Sequence, residues 1–148
     1  MTTPSLYDRD ILLWVEDTVA KLKSHDFEHL DLENLIEEVK ALGISQRREL
    51  RNRLTTLLEH LLKRLYVNLA NDYNGWERTI REQRRQIHFL LKDSPSLKSI
   101  WTDTFTQAWE LAIAEVCEEY PQTLFPDRWQ FSSEIEPMLN DKFWEKIN

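Results

Sequence analysis

The sequence has little of the residues that interrupt helices or cross-link chains. It contains two glycines, five prolines and one cysteine in 148 residues. Helix interiors exclude glycine and proline, so their scarcity favours long helices. Two glycines are also too few for a glycine-rich phosphate-binding loop. The single cysteine, Cys117, excludes a disulfide within the chain and predicts a reducing, cytoplasmic location.

Long apolar runs are absent as well. No run approaches the length that crosses a bilayer, and the N-terminal residues lack the basic-then-apolar order of a signal peptide. We therefore expect no membrane association. The hydrophobic fraction of 41% and the six tryptophans are enough for a real core. Together they predict a single helical domain over residues 1–148.

Charge is distributed unevenly along the chain, whose net charge is −7. Residues 45–92 carry eleven basic and five acidic residues, a net charge of +6, and the remainder carries eight basic and twenty-one acidic residues, or −13. A basic middle segment of this kind is compatible with nucleic-acid binding. It is also what charge complementarity between neighbouring helices produces, and we favour that interpretation because the whole-chain field repels a polyanion.

Apolar residues at helical spacing predict five main helices, beginning with three in the N-terminal half. The first is expected from about Asp8 to Ser24. The second is expected to be capped by Asp31 and to end at Gly43 in a left-handed conformation. The third is expected to start from a cap at Ser45 and to carry an apolar stripe as far as Leu69.

Two further helices and a tail are predicted after residue 73. Asn74 can cap the fourth helix. Ser94 and Pro95 form a typical cap and first position for the fifth, which ends before Pro121. The tail contains a possible capping box from Ser133 to Glu136. The sequence thus predicts an all-α, compact helical bundle with a short C-terminal tail.

The apolar stripes of the first two helices are expected to face inward. In the first helix the stripe comprises Ile11, Val15, Val19 and Leu22, and in the second it comprises Leu32, Leu35, Ile36 and Val39.

Five runs follow one another along the chain: "YDRDILLW", "LDLENLIEEVKALG", "RRELRNRLTTLLEHLLKRL", "WERTIREQRRQIHFLLKDSPSL" and "FPDRW". In this order they resemble a bacterial family called domain of unknown function 29. The resemblance extends over nearly the whole chain and implies a compact helical bundle, but no activity. One departure follows the "HLLK" run, where the family often has an aromatic residue and a proline and this chain reads "RLYVNLAND". The surface there is expected to differ between members.

Several polar residues fall on or beside apolar stripes. They are candidates for a polar network or a ligand pocket: Glu38, His60, Gln83, Arg84 and Glu115. A carboxylate on a core stripe must be paired or protonated, because burying it alone costs several kcal/mol. We expect Glu115 to pair with an arginine of the third or fourth helix. Arg84 is the first choice, and Arg47 and Arg51 are the alternatives. A structural network is the commoner outcome, and a pocket for a small molecule is the functional one.

No catalytic, metal or cofactor motif is complete. A dimetal carboxylate bundle needs Glu-x-x-His on two helices, and this sequence contains none. The zincin motif is absent too. Cys117 has acidic neighbours, whereas a reactive thiolate needs electropositive surroundings. We therefore assign no catalytic residue, no metal ligand and no cofactor, and an enzyme is not indicated.

Three functions remain open from the sequence. The first is a non-enzymatic module that binds a protein partner or a second copy of itself. Its candidate contact residues are four aromatic residues near the C-terminus, which could instead cover the end of the bundle: Trp129, Phe131, Phe143 and Trp144. The second is a small-molecule or metal pocket inside the bundle, with or without enzymatic activity. The third and weakest is nucleic-acid binding by the basic hairpin of residues 45–92, including the run "REQRR".

Overall fold

The computed structural model describes residues 5–146, and the elements within that range are helices and turns without any strand. Six α-helices follow in order: α1 Leu6–Arg9, α2 Ile11–Lys23, α3 Leu32–Tyr66, α4 Tyr73–Asp93, α5 Trp101–Glu119 and α6 Ile135–Asn140. Short 3₁₀ segments occur at Ala70–Asp72, Pro95–Ile100 and Phe143–Glu145. The all-α prediction is confirmed, with four long helices and a short C-terminal tail.

The second and third predicted helices form one continuous helix, α3, of 35 residues. Gly43 lies inside it, and neither glycine has a positive φ. The predicted left-handed cap at Gly43 and the predicted N-cap at Ser45 are therefore wrong. An interior glycine costs a helix only about 1 kcal/mol. Gly43 stands between leucine and isoleucine, and the helix continues through it.

Replacing Gly43 by alanine is expected to stabilise the protein by about 0.5–1 kcal/mol. Alanine restricts the unfolded chain more than glycine does, and a Cβ at this position meets nothing within 4 Å. Urea unfolding followed by circular dichroism measures the change. A helix that ended here in the left-handed conformation would give the opposite sign, so destabilisation by Gly43→Ala would contradict a continuous α3.

The first predicted helix is divided at Asp10 into α1 and α2. Asp10 has an extended backbone, with φ −154°, and its carboxylate accepts a hydrogen bond from the Leu13 amide at 3.1 Å. Asp31 caps α3 as predicted, because its carboxylate accepts from the Asn34 amide at 3.4 Å. Both acids satisfy amides that a helix start leaves free.

Three later boundaries differ from prediction. Asn74 lies inside α4 instead of capping it. Pro95 is the first residue of a 3₁₀ segment, and α5 begins only at Trp101. The capping box over Ser133 to Glu136 does not form, since α6 follows Glu134 without a side-chain cap.

Contacts within the chain divide it into two units, residues 1–44 and 45–148. We call their described parts, residues 5–44 and 45–146, the N-terminal and the C-terminal unit. The prediction of a single domain over residues 1–148 stays a prediction.

The C-terminal unit contains a large hydrophobic core. Leucines on one face of α3 are fully buried: Leu50, Leu54, Leu57, Leu58, Leu61 and Leu62. They pack with the apolar faces of α4 and α5 in one cluster, which also includes Met138 of α6 and Phe143. The tail after α5 therefore contributes side chains to the core.

The four aromatic residues near the C-terminus belong to this core. Phe143 is only 1% exposed, and Trp129, Phe131 and Trp144 are partly buried against the same cluster. The ring centroid of Phe143 lies 5.3 Å from that of Trp129 and 5.0 Å from that of Phe131. These four residues therefore cover the end of the bundle, which was the alternative prediction. They are not free to act as contact residues for a partner.

Candidate functional site

The N-terminal unit is an antiparallel pair of helical segments, held by two hydrogen bonds. The indole Nε1 of Trp14 donates to the Asp31 carboxylate at 3.2 Å, and the Tyr7 hydroxyl donates to the Glu38 carboxylate. Asp31 comes before Glu38 in the sequence, whereas their partners follow the reverse order, Trp14 for Asp31 and Tyr7 for Glu38. The two segments therefore run in opposite directions.

Few side chains of this unit are buried. Trp14 is 4% exposed and Thr18 is 5% exposed, and the Thr18 hydroxyl donates to the Trp14 carbonyl at 2.7 Å. The rings of Tyr7 and Trp14 meet edge to face, with their centroids 5.0 Å apart. The packed side of α2 is therefore the one that carries Trp14 and Thr18.

The apolar stripes that the sequence places inward are exposed instead. Eight aliphatic residues of α2 and α3 are each 40–64% exposed: Ile11, Val15, Val19, Leu22, Leu32, Ile36, Val39 and Leu42. The inward orientation predicted for both helices is wrong, apart from Leu35, which is half-buried. We call these eight residues the aliphatic surface.

Helical phase places both stripes on one side of the pair. At roughly 100° per residue, each stripe is turned about a quarter of a circle from the side of its helix that packs on the other. Trp14 and Thr18 mark that packed side on α2, and Asp31 and Glu38 mark it on α3. Viewed along each helix from its N-terminus, the stripe is rotated from the packed side in the same direction. Because the two helices are antiparallel, both stripes face the same side of the pair.

The aliphatic surface is large for exposed apolar area. Isolated exposed leucines are ordinary, but monomeric proteins rarely expose contiguous apolar patches beyond a few hundred Å². The eight residues, each 40–64% exposed on one side of the pair, together offer several hundred Å² of apolar area. Such patches mark interaction sites.

Glu38 is engaged within the N-terminal unit. It accepts from Tyr7, and this hydrogen bond raises the pKa of the Tyr7 hydroxyl above its usual range. Its neighbour Glu37 is exposed, as predicted, with its carboxylate 3.9 Å from the Lys40 ammonium.

Arg84 is held by backbone carbonyls and not by a carboxylate side chain. Its Nε donates to the Met138 carbonyl at 2.9 Å and its Nη2 donates to the Asp141 carbonyl at 2.6 Å. Burial lowers the pKa of Arg84 to about 10, against a smaller opposing effect of the Asp141 charge. The guanidinium carbon also lies 5.9 Å from the centre of the Phe143 ring. Arg84 therefore joins α4 to the C-terminal segment.

Gln83 lies on an open polar groove between α3 and α4. Its side-chain oxygen accepts from Arg53 at 3.4 Å, a long hydrogen bond. The groove has a volume of about 370 Å³ and is lined by Ser45, Arg48, Glu49, Asn52, Arg53, Thr56 and Gln83. It combines two arginines, one carboxylate and several neutral polar groups, a mixture suited to a small polar molecule.

His60 has a local partner. Its Nδ1 lies 2.8 Å from the Thr56 carbonyl one turn earlier in α3. Burial lowers the pKa of His60, and the Thr56 hydrogen bond opposes this. The ring is therefore a neutral donor to its own helix at pH 7.

Glu115 is exposed, and no arginine of the described chain lies within ion-pair distance of it. The predicted Glu115–arginine pair is wrong. The ion pairs between helices have other members: Lys63 lies 3.0 Å from Glu119, and Arg64 lies 3.0 Å from Glu77. Gln83, Arg84 and His60 each use a different partner, so these residues and Glu115 do not form one network.

Within residues 5–146, no three His, Cys, Asp or Glu side chains are placed to hold a metal ion. Cys117 is exposed. None of the helices in that range has both the length and the apolarity needed to cross a membrane.

Sequence reasoning missed Tyr7, Trp14 and Arg53 as structural partners. The sequence does contain a signal for Trp14, because its helical phase lies at the border between the aliphatic stripe and the polar side of α2. At such a border an indole can both pack against apolar residues and donate a hydrogen bond. No local signal pairs Arg53 with Gln83, since thirty residues separate them.

No curated protein matches this chain, and no solved structure matches it. A family model does match, over residues 6–144, and its description is domain of unknown function DUF29. That match extends over nearly all of the chain, as the order of the five runs implies. The chain belongs to the DUF29 family.

Proposed function

We propose that this protein is a non-enzymatic module that binds another protein through the aliphatic surface of its N-terminal unit. The observation that carries the proposal is the exposure, at 40–64%, of eight aliphatic side chains on one side of two antiparallel segments. Amphipathic helices bury such a face against another element. A reducing, cytoplasmic location fits the single free cysteine.

A photo-crosslinking amino acid at Val39 tests the proposal in cells that express the full chain. Val39 is 63% exposed within the aliphatic surface. We expect a covalent adduct with a protein whose peptides mass spectrometry identifies. The matched control is Glu37, an exposed position of the same helix outside the surface. Equal adducts at both positions, or none at Val39, would count against the proposal.

The polar groove at Gln83 supports a second candidate function, binding of a small polar or anionic molecule. Arg48 and Arg53 supply positive charge, and Asn52 and Gln83 supply neutral donors and acceptors. The groove is open to solvent, whereas most small-molecule sites enclose their ligand. We therefore rank this function second. Nucleic-acid binding by residues 45–92 stays a prediction from charge alone.

A further inference from the structure

We propose that the occupant of the aliphatic surface is a second copy of this chain, which packs its own aliphatic surface against the first. The two pairs of helical segments then form a four-helix arrangement around a shared apolar interior. This inference rests on the proposed function and names the partner that the surface takes.

The area of the surface fits a dimer. Eight aliphatic residues, each 40–64% exposed, offer several hundred Å² of apolar area, enough for the centre of an interface in which each partner buries roughly 800 Å². Isologous interfaces of this kind are the commonest in soluble oligomers, because one patch serves both copies. The polar residues around the stripes supply the rest of the area as the rim of the interface.

The composition of the surface is that of a bundle interior. It contains only leucine, isoleucine and valine, and no charged side chain lies within either stripe. Two-layer helix packing buries stripes of these residues in the core of four-helix bundles. A second antiparallel pair supplies the two missing helices with the same residue types.

The charges around the surface suit a copy of the same chain. By helical phase, the outer edges of the two stripes carry Glu16 and Lys23 on α2 and Glu33 and Lys40 on α3, all four exposed. Each edge thus has one acid and one base, and the border sums to zero. A neutral border does not repel an identical border at close range.

A lipid surface is a poorer occupant. Residues 1–44 carry ten acidic and four basic residues, a net charge of −6. Amphipathic segments that bind anionic membranes are rich in lysine and arginine on their polar face.

Sedimentation of the purified full chain tests the inference. We expect a concentration-dependent species at twice the monomer mass of 17.9 kDa. Val39→Asp, and separately Val15→Asp, place a charge at the centre of the apolar interface and should weaken dimerisation about 100-fold or more. The matched control is Leu111→Asp, the same type of change at a residue of α5 that is 50% exposed and outside the surface. It should leave the dimer intact.

Folding of the variants is checked by circular dichroism, which should be unchanged because both valines are already exposed in one chain. The dimer should also not weaken from low to high salt, since its border is neutral and salt screens the net charge of −6 on each copy's residues 1–44, whereas binding to a basic partner would weaken steeply. A chain that stays monomeric at 100 μM, or a dimer indifferent to Val39→Asp and Val15→Asp, would overturn the inference. If that chain still gives a Val39 adduct with a different protein, the proposed function stands without the dimer. If a monomeric chain gives no Val39 adduct, both the dimer and the proposed function are wrong.

Discussion

Replacing Phe143 by alanine is expected to lower the free energy of unfolding by about 3–5 kcal/mol, the usual cost of truncating a buried phenylalanine. Phe143 is 1% exposed and contacts the rings of Trp129 and Phe131. The substitution removes the edge-to-face pair with Trp129 and leaves a cavity beside the core. Urea unfolding at one fixed protein concentration measures the loss, since stability depends on concentration if the chain dimerises.

Phe89→Ala is the matched control for Phe143. Phe89 lies in α4 and is 49% exposed, so its truncation should change the free energy of unfolding by less than about 1 kcal/mol. A loss at Phe143 no greater than that at Phe89 would show that the tail does not belong to the cooperative core.

The helical class follows from local patterns because the 3.6-residue period is a property of neighbouring residues. The leucine stripe of α3 from Leu50 to Leu62 is buried as its spacing predicts. The stripes of α2 and of residues 32–42 have the same period and are exposed. A stripe shows which side of a helix is apolar, but the same stripe arises whether the covering element belongs to this chain or to another.

The error at Glu115 has a partly geometric cause. Its place on the core stripe was counted from Leu97 at roughly 100° per residue. Leu97 lies in the 3₁₀ segment Pro95–Ile100, where each residue advances about 120°. The phase is lost before α5 begins at Trp101. Counted within α5, however, Glu115 still falls between the phases of Thr104 and Ala108, which are both buried, so helical phase alone does not predict that its side chain reaches water.

The partners of Arg84 could not be predicted for a different reason. Both are backbone carbonyls, at Met138 and Asp141, and every residue supplies such a group. The C-terminal segment has no periodicity that fixes its path. Its position depends on the aromatic residues that it buries, and that position then offers the carbonyls to Arg84.

Replacing Arg84 by methionine is expected to lower the free energy of unfolding by about 2–4 kcal/mol. Methionine keeps an apolar stem of similar length but no donors, so the carbonyls of Met138 and Asp141 lose their charged partner. Hydrogen bonds to charged groups contribute about 1.5–3 kcal/mol each, and a buried group without a partner costs about 1–3 kcal/mol. Urea unfolding measures the total, and hydrogen exchange should show faster opening of α6.

Arg85→Met is the matched control, since Arg85 is the next residue, is exposed, and among residues 5–146 forms an ion pair with Glu82 alone, on its own helix. It should change stability by less than about 0.5 kcal/mol. Arg84→Lys separates charge from geometry: a lysine keeps the charge, but its single ammonium lacks the planar fork that reaches two carbonyls. We expect it to recover part of the loss. Equal stability of the Arg84→Met and Arg85→Met variants, with unchanged exchange in α6, would mean that the fork does not hold the C-terminal segment on α4.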